Sequence, residues 1–162
     1  MLKRSKVLVS LAVLLLFCGT ILFSSCSKPP LAAAYSTLPT NGWHMDSVCS
    51  FSIEVYDTIN PLNFYLDIRH EATYPYANFY VFMDTELPGG QVSKDTIECF
   101  FAKPNGEWLG SGLGDVLDNK ILFRYKKRFS TGGVYTFNLK HGMRDTLLPA
   151  IKNIGLIIEK DE

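Results

Sequence analysis

From Trp43 onward the apolar residues of this chain recur at every second position, a period that suits strands and not helices. Leu62, Phe64, Leu66 and Ile68 alternate with Asn63, Tyr65, Asp67 and Arg69. Successive side chains of a strand point to opposite faces, so this segment reads as a strand with one face buried. The same phase runs through Cys49, Phe51, Ile53 and Val55, and through Phe79, Val81 and Met83. It returns in Ile97, Cys99 and Phe101, in Ile121, Phe123 and Tyr125, and in Tyr135, Phe137 and Leu139. A last strand is expected from Ile154 to Glu159. Asn60-Pro61, Tyr74-Pro75, Pro88-Gly89-Gly90, Asp118-Asn119 and Gly132-Gly133 punctuate these runs as turns. About seven or eight short strands at this spacing predict an all-β fold, an antiparallel β-sandwich forming a single domain over residues 43–162. Only His141 to Ile151 leaves room for a helical turn, which Pro149 would end.

Within this frame, Asp95 to Asp115 is the most patterned stretch. A strand from Asp95 to Ala102 meets a turn at Pro104-Asn105-Gly106 and returns through Glu107-Trp108-Leu109. Asn-Gly between apolar runs is a strong hairpin signal, with positive φ expected at both central residues. Gly110, Gly112 and Gly114 then form a ladder closed by Asp115. The ladder is no nucleotide fingerprint: it follows a hairpin arm, its spacing is wrong, and no helical period comes after it. Asn105, Gly106, Trp108, Gly110, Gly112, Gly114 and Asp115 are the candidate contact residues for a protein partner.

The N-terminus places the chain in a compartment. Lys3, Arg4 and Lys6 precede an apolar run from Val7 to Phe23, and Ser24-Ser25-Cys26 follows. That is the pattern of a secretory signal, here of the bacterial lipoprotein type, in which residues 1–25 are cleaved and Cys26 is acylated. The run is about long enough to approach the span of ~20 residues a bilayer needs, but an uncleaved helix would leave Ser24-Ser25-Cys26 unexplained. Several acyl chains hold a protein on a membrane essentially permanently. Residues 26–42, with Pro29-Pro30 and Pro39, read as the lipidated cysteine and a flexible spacer. Lys28, Pro29 and Pro30 stand where a surface-export signal would put acidic residues, which favours an outer-membrane lipoprotein facing the periplasm. Cleavage turns 16 basic and 16 acidic residues into 13 and 16, a mild net −3 that offers nothing to a nucleic acid.

Two cysteines then remain, Cys49 and Cys99, both on apolar phases. A disulfide and a pair of buried thiols are both open, and the apolar setting favours the thiols. His44, His70 and His141 lack any metal-ligand spacing, so no metal is expected. Ser111 lacks a nucleophile elbow. Carboxylate pairs such as Glu107 with Asp115, or Asp115 with Asp118, read as turn residues bonding their own backbone. Arg124, Lys126 and Arg128, on one face of a strand, suit either an anionic surface or a charge-protected edge. Trp108 with Tyr74, Tyr76 and Tyr80 admits a sugar-stacking platform, which makes a carbohydrate-binding module the alternative function. No motif supports an enzyme.

Taken in order, the features resemble GldH, the gliding motility-associated lipoprotein family of Bacteroidetes. The likeness is carried by Ser24-Ser25-Cys26, Trp43, Arg69 with Tyr74-Pro75-Tyr76-Ala77-Asn78, and Leu87-Pro88-Gly89-Gly90. It continues through Asp95-Thr96-Ile97-Glu98 and Gly106 to Asp115, then Gly133 with Tyr135, Gly142-Met143-Arg144 and Ile154 to Lys160. The resemblance implies an envelope lipoprotein taking part in gliding, a machinery bound up with type IX protein secretion. It implies other gliding or envelope lipoproteins as partners, and no catalytic residue or cofactor.

Overall fold

A computed structural model describes residues 29–161. The signal segment and Cys26 lie outside the described residues. Among the described residues eleven strands form: β1 (Ala32–Thr37), β2 (Trp43–His44), β3 (Cys49–Val55), β4 (Leu62–Glu71), β5 (Asn78–Glu86), β6 (Val92–Phe100), β7 (Ser111–Leu113), β8 (Val116–Lys127), β9 (Gly133–His141), β10 (Leu147–Leu148) and β11 (Ile151–Lys160). They pair antiparallel into a five-stranded sheet β1-β11-β4-β8-β7, a four-stranded sheet β3-β9-β5-β6, and the small pair β10-β2.

The expected sandwich is present, and the alternation is its cause. In β3 every odd-numbered residue from Cys49 to Val55 is buried and every even one exposed. Phe79, Val81 and Met83 of β5 and Phe137 and Leu139 of β9 face inward from the four-stranded sheet. Leu66 and Ile68 of β4 and Ile154, Leu156 and Ile158 of β11 join the same core from the other sheet. Burying each such side chain stabilises the fold by about 1.5–3 kcal/mol. Leu66 stands opposite Leu156, and Ile68 opposite Ile154, so the register itself brings apolar side chains into contact.

Three expectations need correction. The strands exceed the expected number because β1, β2, β7 and β10 carry little or no hydrophobic alternation. The segment read as spacer contributes β1, whose six residues pair with Ile158 back to Asn153. Ala32 and Ala34 pack on the core, but alanine is too small to announce a buried face in sequence. Residues 141–151 hold no helical turn; β10 forms there and packs Leu148 beneath Trp43, both fully buried.

The topology gives the sandwich two distinct ends. The start of β1, the ends of β3, β8 and β11 and the start of β4 lie at one end, where the chain enters the domain. The end of β4, the β7–β8 turn and the end of β9 lie at the other.

Candidate functional site

The Pro104–Asp115 stretch sits at the far end. The hairpin is tight: Gly106 N–H donates to the Lys103 carbonyl at 2.9 Å, and Lys103 N–H to the Glu107 carbonyl at 2.8 Å. Only Gly106 adopts positive φ, at 85°, whereas Asn105 does not. Pro104 presets the first turn residue near −65°, which selects a type I turn closed by a left-handed glycine rather than the mirror-image turn expected from Asn-Gly. Asn105 instead accepts the Glu107 N–H on its side chain at 3.2 Å.

The glycine ladder builds the edge strand. Gly110 leads into β7, Gly112 is its centre, and Gly114 (φ 67°) with Asp115 makes the two-residue turn into β8. A Cβ on Gly112 would stand 1.9 Å from the Val116 carbonyl oxygen, so only glycine lets β7 approach β8 this closely. The Asp115 carbonyl accepts the Ala72 N–H at 2.8 Å and ties the turn to the end of β4. Leu113 projects from this edge at 94 % exposure, and Leu109 is exposed beside it.

Beneath the hairpin lies an aromatic cage that sequence reasoning treated only as loose residues. His70 is fully buried at the end of β4, stacked on Phe101 with centroids 4.6 Å apart and rings 6° from parallel. Trp108 closes at 4.9 Å and Tyr74 at 5.6 Å. His70 Nδ1 lies 2.8 Å from the Glu71 carbonyl oxygen, which places its proton on Nδ1 as donor. Burial lowers the pKa of His70, and likewise that of His141 beside Trp43. The only hint in the sequence is that His70 continues the apolar phase of β4.

This arrangement removes the platform suggested for sugars. Tyr74 is buried in the core, Tyr76 donates to Asp145 at 2.7 Å, and Trp108 is half-buried against His70. Tyr80 stands apart from them on the outer face of β5. The carboxylates are also engaged. Glu107 binds Lys103 at 2.8 Å, and Asp118 holds the Arg69 guanidinium through two bonds of 2.6 and 3.1 Å.

Arg124, Lys126 and Arg128 do not share a face. Register shifts against β4 between Leu62 and Phe64, and between Phe64 and Tyr65, break the alternation, and Lys126 adopts a φ of 51°. Arg124 pairs with Asp95 of β6. Lys126 reaches Asp161 at 3.0 Å, and Arg128 Nε donates to the Ile59 carbonyl at 2.7 Å. The buried Asn63 secures the irregularity, accepting the Lys126 N–H at 2.9 Å and donating to Asp161 at 3.1 Å.

Cys49 and Cys99 are free, buried thiols on the two outer strands of the four-stranded sheet, so the disulfide alternative is set aside. Burial pushes the Cys99 thiol up to about 12.

The chain matches the family model of the GldH lipoprotein over residues 31–158. It is 33% identical over 149 residues to a gliding motility lipoprotein GldH homolog of Christiangramia forsetii, covering 88% of this chain and 91% of that one. It is 29% identical over 155 residues to gliding motility lipoprotein GldH of Flavobacterium johnsoniae, covering 91% and 96%. A solved family GH115 4-O-methyl-α-glucuronidase shares a likeness at 9% identity and a TM-score of 0.41, over 85% of this chain and 18% of that one, too slight to carry an argument. With the family match running from the residue before β1 to within the last strand, the chain belongs to the GldH lipoprotein family.

Proposed function

We propose that this protein is a lipid-anchored, non-enzymatic component of the gliding and type IX secretion-associated machinery. Acylated Cys26 holds it on the outer membrane, and the domain faces the periplasm. It meets a protein partner, another envelope or gliding lipoprotein, through the Asn105–Asp115 hairpin.

Family membership supports the role, and the exposed Leu113 on a glycine-built edge strand carries the choice of contact. An edge strand presents backbone N–H and C=O groups ready to pair with another chain. Monomeric proteins commonly blunt such edges with charge, but β7 has none: its residues are Ser111, Gly112 and Leu113. Trp108 and the tyrosines, in contrast, are committed to packing and to internal bonds.

Cross-linked pull-down from native membranes, read by mass spectrometry, tests this reading. Lipoproteins of the gliding or secretion machinery should be enriched with Cys26 intact and lost in Cys26→Ala. Leu113→Asp should deplete the same partners while the protein stays in the membrane fraction. Recovery of polysaccharide without protein partners would replace this reading with the carbohydrate-binding one.

A further inference from the structure

We infer that β6 is a dimerisation edge, where two copies of this chain pair antiparallel about a two-fold axis at Thr96 and join their four-stranded sheets into one. The inference depends neither on acylation nor on the hairpin contact. β6 closes the sheet order β3-β9-β5-β6, and no strand among the described residues covers its other side. The free stretch ends at the hairpin, where Leu109 N–H donates to the Phe101 carbonyl at 2.7 Å.

The backbone is set for such pairing. Leu87 N–H donates to the Gln91 carbonyl and Phe101 N–H to the Ala77 carbonyl, both at 2.8 Å and both on the register that joins β5 to β6. Bonded pairs recur at every second residue of an antiparallel ladder. The odd-numbered residues of β6 therefore turn their N–H and C=O groups to β5, and Val92, Lys94, Thr96, Glu98 and Phe100 turn theirs to the free edge. A row of unpaired backbone groups is a template for another strand.

The side chains say which strand. The same five residues stand exposed on the outer face and read symmetrically: apolar, basic, Thr96, acidic, apolar. Pairing two copies about Thr96 sets Lys94 against Glu98 twice, Val92 against Phe100 twice, and Thr96 against itself. Opposite charges, apolar pairs and paired threonines are all favourable across strands. The pairing also covers two large apolar side chains, Val92 and Phe100, that are 53 % and 60 % exposed in the single chain. Moving the axis to Lys94, Asp95 or Glu98 would oppose like charges, and moving it to Ile97 would set Lys94 against Phe100. The charges are free to meet: Lys94 touches Asp84 at 3.3 Å with its side chain 77 % exposed, and Glu98 accepts only the Asn78 amide, at 2.8 Å. Asp95, on the inner face, keeps its ion pair with Arg124. β3, the other edge of this sheet, offers Ser50, Ser52 and Glu54 on its outer face, an acid with no base to match it. The two-fold axis stands perpendicular to the joined sheet, so the two chain entries lie at its opposite ends, and both reach one bilayer when the strands lie along it.

Symmetric cross-linking tests this. Residues directly opposite in a bonded pair have Cα atoms about 5.5 Å apart, within reach of a disulfide. The full-length protein carrying Thr96→Cys is oxidised briefly with copper phenanthroline in native membranes and read on a non-reducing gel. It should give a product of twice the chain mass, whereas Tyr35→Cys, exposed on the other sheet, should not. Adding Lys94→Glu should lower the ratio of cross-linked to free chain about tenfold, since it turns two attractions into two repulsions. Adding Glu98→Lys to that variant should restore the ratio, because the swapped charges again oppose each other. Circular dichroism of the purified variants separates lost pairing from lost folding. The inference is overturned by equal yields at 35 and 96, by a product of any other mass, or by a folded charge-swapped variant whose yield stays low. Absence of any product from folded Thr96→Cys overturns it as well.

Discussion

The two ends of the sandwich both bury aromatic rings and differ in what closes over them. The far end is roofed by β2, β10 and the Pro104–Asp115 hairpin, and its interior is aromatic: Trp43, Phe79 and Phe101 are fully buried along with His70. The entry end buries Phe64, Phe129 and Tyr135, and the loops over them make exposed ion pairs and backbone bonds, such as Lys160 with Asp57 and Arg128 with the Ile59 carbonyl. Rings removed from water stabilise in proportion to buried area, whereas exposed charges gain little from pairing in a high dielectric. Stability therefore comes from the rings buried at both ends, and the exposed ion pairs of the entry end add little to it.

The contrast between buried rings and exposed pairs is tested most strongly by removing a far-end ring. Phe101→Ala should cost about 3–5 kcal/mol of unfolding free energy in urea titration, because Phe101 stacks on both His70 and Phe79 in the closed core. A loss below about 1 kcal/mol would mean that the cage contributes little to stability.

Gly112→Ala is the next largest, at about 1–3 kcal/mol, since its Cβ must displace the backbone of β8. Hydrogen exchange should quicken at Ser111 to Leu113 and remain slow in β4 and β11. Uniform quickening would show that the hairpin is not a separate unit.

Acid should weaken the far end. Burial lowers the pKa of His70 and of His141 below the ordinary 6.5, so the unfolded chain binds more protons as the pH falls past that value. Stability is then full above about pH 6.5 and declines toward the folded pKa values, levelling below them. His70→Gln should flatten part of that slope in denaturation curves taken across the range; an unchanged slope would exclude His70 as a contributor.

The smallest effect belongs to the entry end. Lys160→Ser removes the ion pair with Asp57 and should leave the thermal midpoint indistinguishable from the parent at moderate salt. A clear drop would erase the contrast between buried rings and exposed pairs.

How far this was legible from the chain differs by element. Strands β3, β4, β5 and β9 could be read because alternation is a local property: the same residues that make the pattern make the buried face. β1 could not, since Ala32 and Ala34 bury too little surface to mark a phase, and pairing with β11 makes it a strand. β7 could not, because a Ser-Gly-Leu segment has no alternation and its glycines answer to the backbone of β8.

The candidate site follows the same rule. The hairpin at Pro104 to Gly106 was visible, but its turn type depended on proline at the first position. The basic triplet was visible, but its single face assumed a regular strand, and the irregular pairing with β4 broke it.

The sequence by itself determined that the chain is an antiparallel β-sandwich and marked its hairpin, because period, turn residues and glycine act within a few positions of themselves. Tertiary structure alone decided that His70 sits within Phe101, Tyr74 and Trp108, and that the two cysteines stand on opposite edges of one sheet. It also decided that the hairpin and the chain's entry lie at opposite ends. Each of those facts depends on which strands pair, and pairing is set by the summed burial of segments far apart in the chain.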